Sequence, residues 1–436
     1  MKKEIKTFLC SFAIICMVVT CKRQSSGNSI IQPKDTSLVN LAHLDYLYIP
    51  VTFPDGTNAA GVYVYANAPD YNLTPASGEG YTCVDDVSRA VLVYLRSSNF
   101  STDTSVQSKT INLINFLLEM QSFNGYFYNF LSVGNQINMV GPTSINNPEW
   151  WSWRALQALT EGSPLIRKLN SQLADGMDQA VNKLISAMKT DLVNLPQTTK
   201  VVSGITIPQW LPDESATDQS AILIISLINY CTNNNDTILS AYIKKLADGI
   251  MLMQQGDSLN APYDAFLSWE NTWHAYGNEQ AYALLKAGSF LNDSNYTSHA
   301  LAEVDNFYPW LLQNGFLSSF TVTNNGTGLQ LSSVNSYAQI AYGIKPMVFA
   351  AAEAYEITGQ EKYSDLAGHL AAWFLGANVA STNMYSLTTG LCYDGISSPG
   401  SVNLNSGAES TIEALLSMEK VEEYPEIKIA LNKYKK

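Results

Sequence analysis

The chain has 436 residues and a formal net charge of −13, with 25 Lys and Arg against 38 Asp and Glu. That balance speaks against nucleic acid and anionic membrane surfaces as partners. The 24 Tyr, 8 Trp and 15 Phe favour a carbohydrate partner, since sugar faces stack on aromatic rings, although most such rings serve a core.

The chain opens with a basic stretch, Met1-Lys2-Lys3-Glu4-Ile5-Lys6, and an apolar run from Phe8 to Val19 follows. The run is too short to span a bilayer as a mature helix and reads as a secretory signal. It ends Val18-Val19-Thr20-Cys21, which resembles the lipobox of bacterial lipoproteins. The resemblance implies that Cys21 carries the lipid and begins the mature protein. Residues 1–21 are then signal peptide and lipobox, 22–37 a flexible Ser/Gly-rich tether, and 38–436 one domain. A lipid-anchored monomer of the bacterial cell envelope, periplasmic or outer-surface, is expected, with no membrane contact beyond the anchor.

Cys83, Cys231 and Cys392 are the remaining cysteines, scattered without a CxxC pair, and imply buried thiols or at most one disulfide. The four histidines form no HExxH site, and no nucleotide-binding glycine loop is present, so no metal and no cofactor are expected. Residues 47–53 and 61–65 alternate or are β-branched around Pro54-Asp55-Gly56 and read as a hairpin over the main body.

A glycine-flanked loop at 78–83 runs into a helix with Asp85 and Asp86 in its first turn and Val84, Val87, Val91 and Leu95 on one face. Arg89 lies four residues after Asp85 and three after Asp86 and can pair with either. Five later segments also read as helix starts rich in polar groups. Taken from 85, 149, 213, 270, 335 and 409, these starts recur at a nearly constant interval. An apolar helix follows each, then an amphipathic one over 104–121, 170–191, 237–254, 295–313, 361–375 and 424–434. Such a period means repeated helical hairpins that bury one another. An all-α ring of six hairpins is expected, apolar helices inside and amphipathic ones outside, with an open solenoid as the alternative.

Inner helices running in one direction would gather their N-termini at one end of the ring. That end would hold Asp85, Asp86, Glu149, Asp213, Glu214, Glu270, His274, Asn335, Tyr337, Asn405 and Glu409 among Trp150, Trp151, Trp269 and Trp273. Carboxylates walled by aromatics suit glycosidic bond chemistry. Asp394, in a loop beside Gly395, either caps or binds.

Two stretches carry a resemblance. Residues 78–90, Gly-Glu-Gly-Tyr-Thr-Cys-Val-Asp-Asp-Val-Ser-Arg-Ala, resemble the EGxxCVDDVARA signature of a group of bacterial carbohydrate-active proteins. Residues 403–411, Asn-Leu-Asn-Ser-Gly-Ala-Glu-Ser-Thr, resemble that group's NxNxGAEST segment. The ring of hairpins is similar to the (α/α)6 toroid of the six-hairpin glycosidase superfamily, and its arrangement is also like that of glycoside hydrolase family 9. The resemblance implies carbohydrate processing without fixing the substrate. On this reading the chain is a glycoside hydrolase with Asp86, or Asp85, as base and Glu409 as acid, meeting where hairpins one and six close the ring. Arg89 pairs with Asp85 and leaves Asp86 free. The alternatives are a non-catalytic glycan-binding lipoprotein, a polysaccharide lyase, or a sugar epimerase, a type that uses paired histidines where this chain offers His274.

Overall fold

The computed structural model describes residues 37–436. Cys21, the signal segment and all but the last residue of the tether lie outside the described residues. A short helix, α1 (Ala42–Leu47), precedes the hairpin Tyr48–Thr52 and Asn58–Val62, which pairs Tyr48 with Val62 and Thr52 with Asn58. Twelve longer helices then alternate between two roles. They are α2 (Val84–Arg96) and α3 (Thr104–Glu119), α4 (Trp150–Ile166) and α5 (Ser171–Asp191), α6 (Thr217–Asn234) and α7 (Thr237–Leu252). The second half holds α8 (Gln280–Leu291) and α9 (Ser294–Gln313), α10 (Ala341–Thr358) and α11 (Glu361–Ala371), α12 (Ala408–Glu422) and α13 (Pro425–Tyr434).

Sequence pattern separates the two roles. In α10 every residue from Ala341 to Ala354 is buried, whereas α5 buries one stripe that includes Ala174, Met177, Val181, Leu184 and Met188. A helix apolar on all sides needs neighbours on all sides. The even-numbered helices meet that need by packing in a closed cycle: α2 on α4, then α6, α8, α10 and α12, which returns to α2. Each odd-numbered helix from α3 to α13 packs outside on the even-numbered one before it.

Capping follows the same division in part: α11 and α13 start without a side-chain cap, and Cys83 Sγ accepts the Asp86 N–H at the start of α2. Side-chain oxygens of Asp103, Asn170, Asp236 and Asp293 accept backbone N–H groups at the starts of α3, α5, α7 and α9. The inner helices α4, α6, α8, α10 and α12 start without a side-chain cap. Residues near these starts bond to other inner helices instead, as Trp153 does to Gln219, Gln280 to Thr217 and Arg154 to Tyr342. Connections from inner to outer helices are short. Those from outer to inner are long and carry small antiparallel sheets, among them Thr199–Val202 with Ile205–Pro208 and the three-stranded Thr272–His274, Ser319–Asn324 and Leu329–Asn335. Long loops therefore collect at the end where the inner helices begin.

Three of the six helix starts differ from the sequence expectation. Asp213 and Glu214 form a tight turn, both with positive φ, and α6 begins at Thr217. Glu270 also has positive φ in a turn, Trp273 and His274 are in a strand, and α8 begins ten residues later at Gln280. Asn335 ends a strand and Tyr337 lies in a loop ahead of α10. Polar turn residues in these connections imitate a helix start, while the true starts lack a capping residue.

The N-terminal extension closes the seam between α12 and α2. Ser406 N–H donates to Ala66 O and Ala408 N–H to Val64 O, each at 3.0 Å. A Cβ on Gly407 would sit 2.5 Å from the Val64 carbonyl oxygen, so only glycine fits between them. The three cysteines among the described residues are free and buried.

Candidate active site

The first two turns of α2, α4, α10 and α12, with Glu279 just ahead of α8, build a network of charges in the ring. Arg89 is 2% exposed. Its Nη2 reaches Asp85 Oδ2 at 2.8 Å, Asp86 Oδ1 at 2.7 Å and Glu409 Oε2 at 3.4 Å, and its Nη1 reaches Glu413 Oε1 at 2.7 Å. Because three carboxylates meet one nitrogen, each aspartate oxygen lies within about 6 Å of the Glu409 oxygen, well inside the reach of paired-carboxylate chemistry. The two motifs from opposite ends of the chain therefore do meet. Arg154 of α4 pairs with Asp85 Oδ1 at 2.6 Å and donates to Tyr342 Oη of α10. Lys345 pairs with Glu279 at 2.6 Å and lies 3.9 Å from Glu413.

Five carboxyl groups here face three cations, and the surplus has a consequence. Glu409 is pushed up to about 7, by burial first, against the pull of Arg89, with the charges of Asp86, Glu413 and Asp85 adding to the rise. Its side chain nevertheless keeps 43% of its surface open, which makes it the most exposed acid of the cluster. Asp86 is raised as well, by burial, with Arg89 opposing. The expectation that Asp86 stands free is corrected: Arg89 holds one of its oxygens and Cys83 Sγ lies 3.3 Å from the other. Both aspartates reach the same guanidinium nitrogen because they lie four and three residues before Arg89 on α2.

Next to the network lies a cavity of about 280 Å³. It is lined by Asp85 but by neither Asp86 nor Glu409, which lies behind Asp85 on Arg89, together with Arg154, Trp150, Trp269, His274, Tyr276 and Tyr342, and by Asp218, the second residue of α6. The aromatic walls are fixed by tight packing. Gly277 has φ +68°, and a Cβ there would come within 2.5 Å of Tyr342 Oη and 3.1 Å of Trp150. The His274 ring packs against Tyr276 and Trp269, with centroids 4.2 and 5.5 Å away. Its Nδ1 accepts the Tyr276 N–H at 3.2 Å, so the Nε2 carries the proton in the neutral ring, and burial lowers its pKa.

The remaining predicted residues divide by position. Glu149 precedes α4, and its carboxyl is raised by burial and by Asp213. Glu214 and Glu270 lie on the rim, where Lys200 pairs with them at 2.5 and 3.7 Å. Asp394 Oδ1 accepts the Gly407 N–H at 2.8 Å and the Ser410 hydroxyl at 2.7 Å, which braces the residues on either side of Glu409 at the start of α12. Asn405 Oδ1 accepts the Ala68 N–H and ties down the extension. Asn335 is bonded within its own sheet, to Ser319. Two predicted binding residues need correction. Trp273 is buried in a stack with Phe320, and Trp151 is buried with its indole N–H on Phe127 O, so both serve the core. Sequence reasoning missed Asp218, Tyr276 and Tyr342. Asp218 follows Thr217 immediately before the apolar run at 221–228 and could have been found as an acid in a helix first turn.

Solved structures of the same fold process sugars. A cellobiose 2-epimerase from Bacillus thermoamylovorans shares 13% identity over 84% of this chain and 92% of its own, with a TM-score of 0.58. A sugar epimerase from a ruminal bacterium shares 11% over 83% and 92%, with a TM-score of 0.59. A family 76 glycoside hydrolase from a bovine Bacteroides thetaiotaomicron strain shares 11% over 89% and 79%, with a TM-score of 0.55. No family model and no curated protein sequence matches the chain. The fold is six-hairpin glycosidase-like, and at these identities the likeness concerns the fold alone.

Proposed function

We propose that this chain is a glycoside hydrolase, built on an (α/α)6 toroid, that acts on an oligo- or polysaccharide. Glu409 is the acid and an α2 aspartate the base. Asp85 takes the base role in preference to Asp86, because Asp85 lines the cavity. The observation that carries the reading is the shared contact of Arg89 Nη2 with Asp85, Asp86 and Glu409. Hydrolysis needs one carboxyl protonated and one ionised. Two guanidinium groups attend Asp85, while burial first, with the charges of Asp86, Glu413 and Asp85 adding to it, raises Glu409 to about 7 and leaves it partly protonated near neutral pH. Lipidation at Cys21 and a place on the extracytoplasmic side of a bacterial membrane belong to the same proposal, motivated by the lipobox-like sequence. Loss of membrane partitioning in Cys21→Ala is the expected result.

The test is release of reducing ends from a panel of glycans, with binding measured on the same panel. Release is expected from at least one glycan. Glu409→Gln should cut turnover about 10²- to 10⁴-fold with folding intact. Unchanged turnover in that variant would remove Glu409 from the role. Binding without release on every glycan would favour a non-catalytic receptor. One observation favours epimerisation instead, the neutral His274 ring in the cavity wall. That reading expects conversion of the sugar with no new reducing end.

A further inference from the structure

We propose that Asp218 is the specificity-determining hydrogen-bond donor of this cavity, selecting an uncharged sugar unit through an oxygen that can only accept, such as a ring or carbonyl oxygen. The proposal rests on the reading of the cleft as a glycan site and adds to it the class of sugar taken.

Asp218 is 1% exposed and lines the cavity beside Trp150, Trp269 and Tyr276. Its Oδ1 accepts the N–H of Gln219 at 2.7 Å, and its Oδ2 has no hydrogen-bond partner among the described residues. Among the described residues no Lys or Arg pairs with it. The surrounding charges explain why none is available. Arg154, across the cavity on α4, is engaged by Asp85 and Tyr342. Glu279, ahead of the adjacent α8, is held by Lys345. The charges left on the approach, Asp213 and Glu149, are both acidic. His274 is a neutral ring here, as are the phenols of Tyr276 and Tyr342, whose pKa values burial raises.

A buried carboxyl without a cation keeps its proton. Burial, with a smaller push from Asp213, raises Asp218 to about 8, against the backbone N–H groups at the start of α6, which pull it down. A protonated carboxyl donates, and so suits an acceptor-only oxygen. An anionic sugar would meet Asp85, Asp213 and Glu149 with every nearby cation already paired, so the subsite refuses it.

The experiment is calorimetric binding to the full-length protein of neutral oligosaccharides and of uronate-containing counterparts, at pH 6 and pH 9. Neutral glycans are expected to bind at pH 6, the uronates more weakly, and affinity for the neutral ones should fall at pH 9 as Asp218 loses its proton. Asp218→Asn, which still donates and does not titrate, should retain the pH 6 affinity and lose the fall at pH 9. Asp218→Leu should weaken binding about ten- to a hundredfold, the cost of an unmet buried hydrogen bond. Wild-type affinity in the Leu variant, or a pH 9 fall as large in the Asn variant as in wild type, would overturn the role of Asp218 while leaving the glycan reading standing; a smaller residual fall is that of Glu409. An Asn variant that binds normally but no longer turns over would make Asp218 a proton donor in the chemistry instead. A chain that binds no glycan would bring down the site reading, and this proposal with it.

Discussion

Replacing Arg89 with Met asks how far the ring depends on its central charges. Arg89 touches both aspartates of α2 and both glutamates of α12, so it ties together the helices that close the cycle. Met fills much of the stem volume and removes the guanidinium. Asp86 and Glu413, both buried, then lose a cation at 2.7 Å. Removing one partner of a buried ion pair costs about 3–5 kcal/mol. Glu409 adds little to this, since water reaches its side chain and screens it. The loss has a definite pH dependence. Asp86 is already raised by burial against the pull of Arg89, so removing Arg89 raises it further. A carboxyl whose folded pKa lies above its unfolded value gains protons on folding. Stability therefore falls as pH rises from the ordinary carboxylate range through the raised folded value. The deficit of Arg89→Met should be small near pH 4 and full above neutrality. Urea unfolding of wild type and variant, followed by tryptophan fluorescence at pH 5 and pH 8, measures it. An equal deficit at both pH values, or one under about 1 kcal/mol at pH 8, the size of an ordinary substitution, would refute the reasoning.

Three further outcomes follow from the same geometry. Turnover should decline as pH rises through about 7, because the acid Glu409 must hold its proton, and a rate profile that stays flat across that range would argue against it. Gly277→Ala should cost about 1–3 kcal/mol through strain at positive φ and displace Trp150 and Tyr342 from the cavity wall, which denaturation and glycan affinity would both register. Asp394→Ala should lose about 1 kcal/mol by removing the acceptor of the Gly407 N–H and the Ser410 hydroxyl and lower activity with it, whereas Asp394→Asn, which keeps an acceptor, should recover most of both.

The sequence by itself determined the alternation of helices. An all-round apolar helix such as α10 and a striped one such as α5 differ in composition alone, and the interval between repeats gave their number. Outer helices were legible to within a few residues because Asp103, Asn170, Asp236 and Asp293 cap them locally, a signal written in adjacent residues. Inner starts at α6, α8 and α10 were misplaced because polar residues in the connections ahead of them imitate a helix start. Asp218 of α6 and Tyr342 of α10 line the cavity, and the acids nearest in sequence, Asp213, Glu214 and Glu270, belong to turns ahead of the helices. The tertiary structure alone decided which acids share a site. Residues 320 positions apart, Arg89 and Glu409, meet only when α12 packs on α2. Which of two adjacent aspartates faces the cavity, why Trp273 is core while Trp269 is wall, and why Asp218 lacks a cation all depend on what other helices bring alongside. Local pattern fixes a helix and its buried face; the electrostatics of a site depend on distances between segments, and those exist only once the ring is closed.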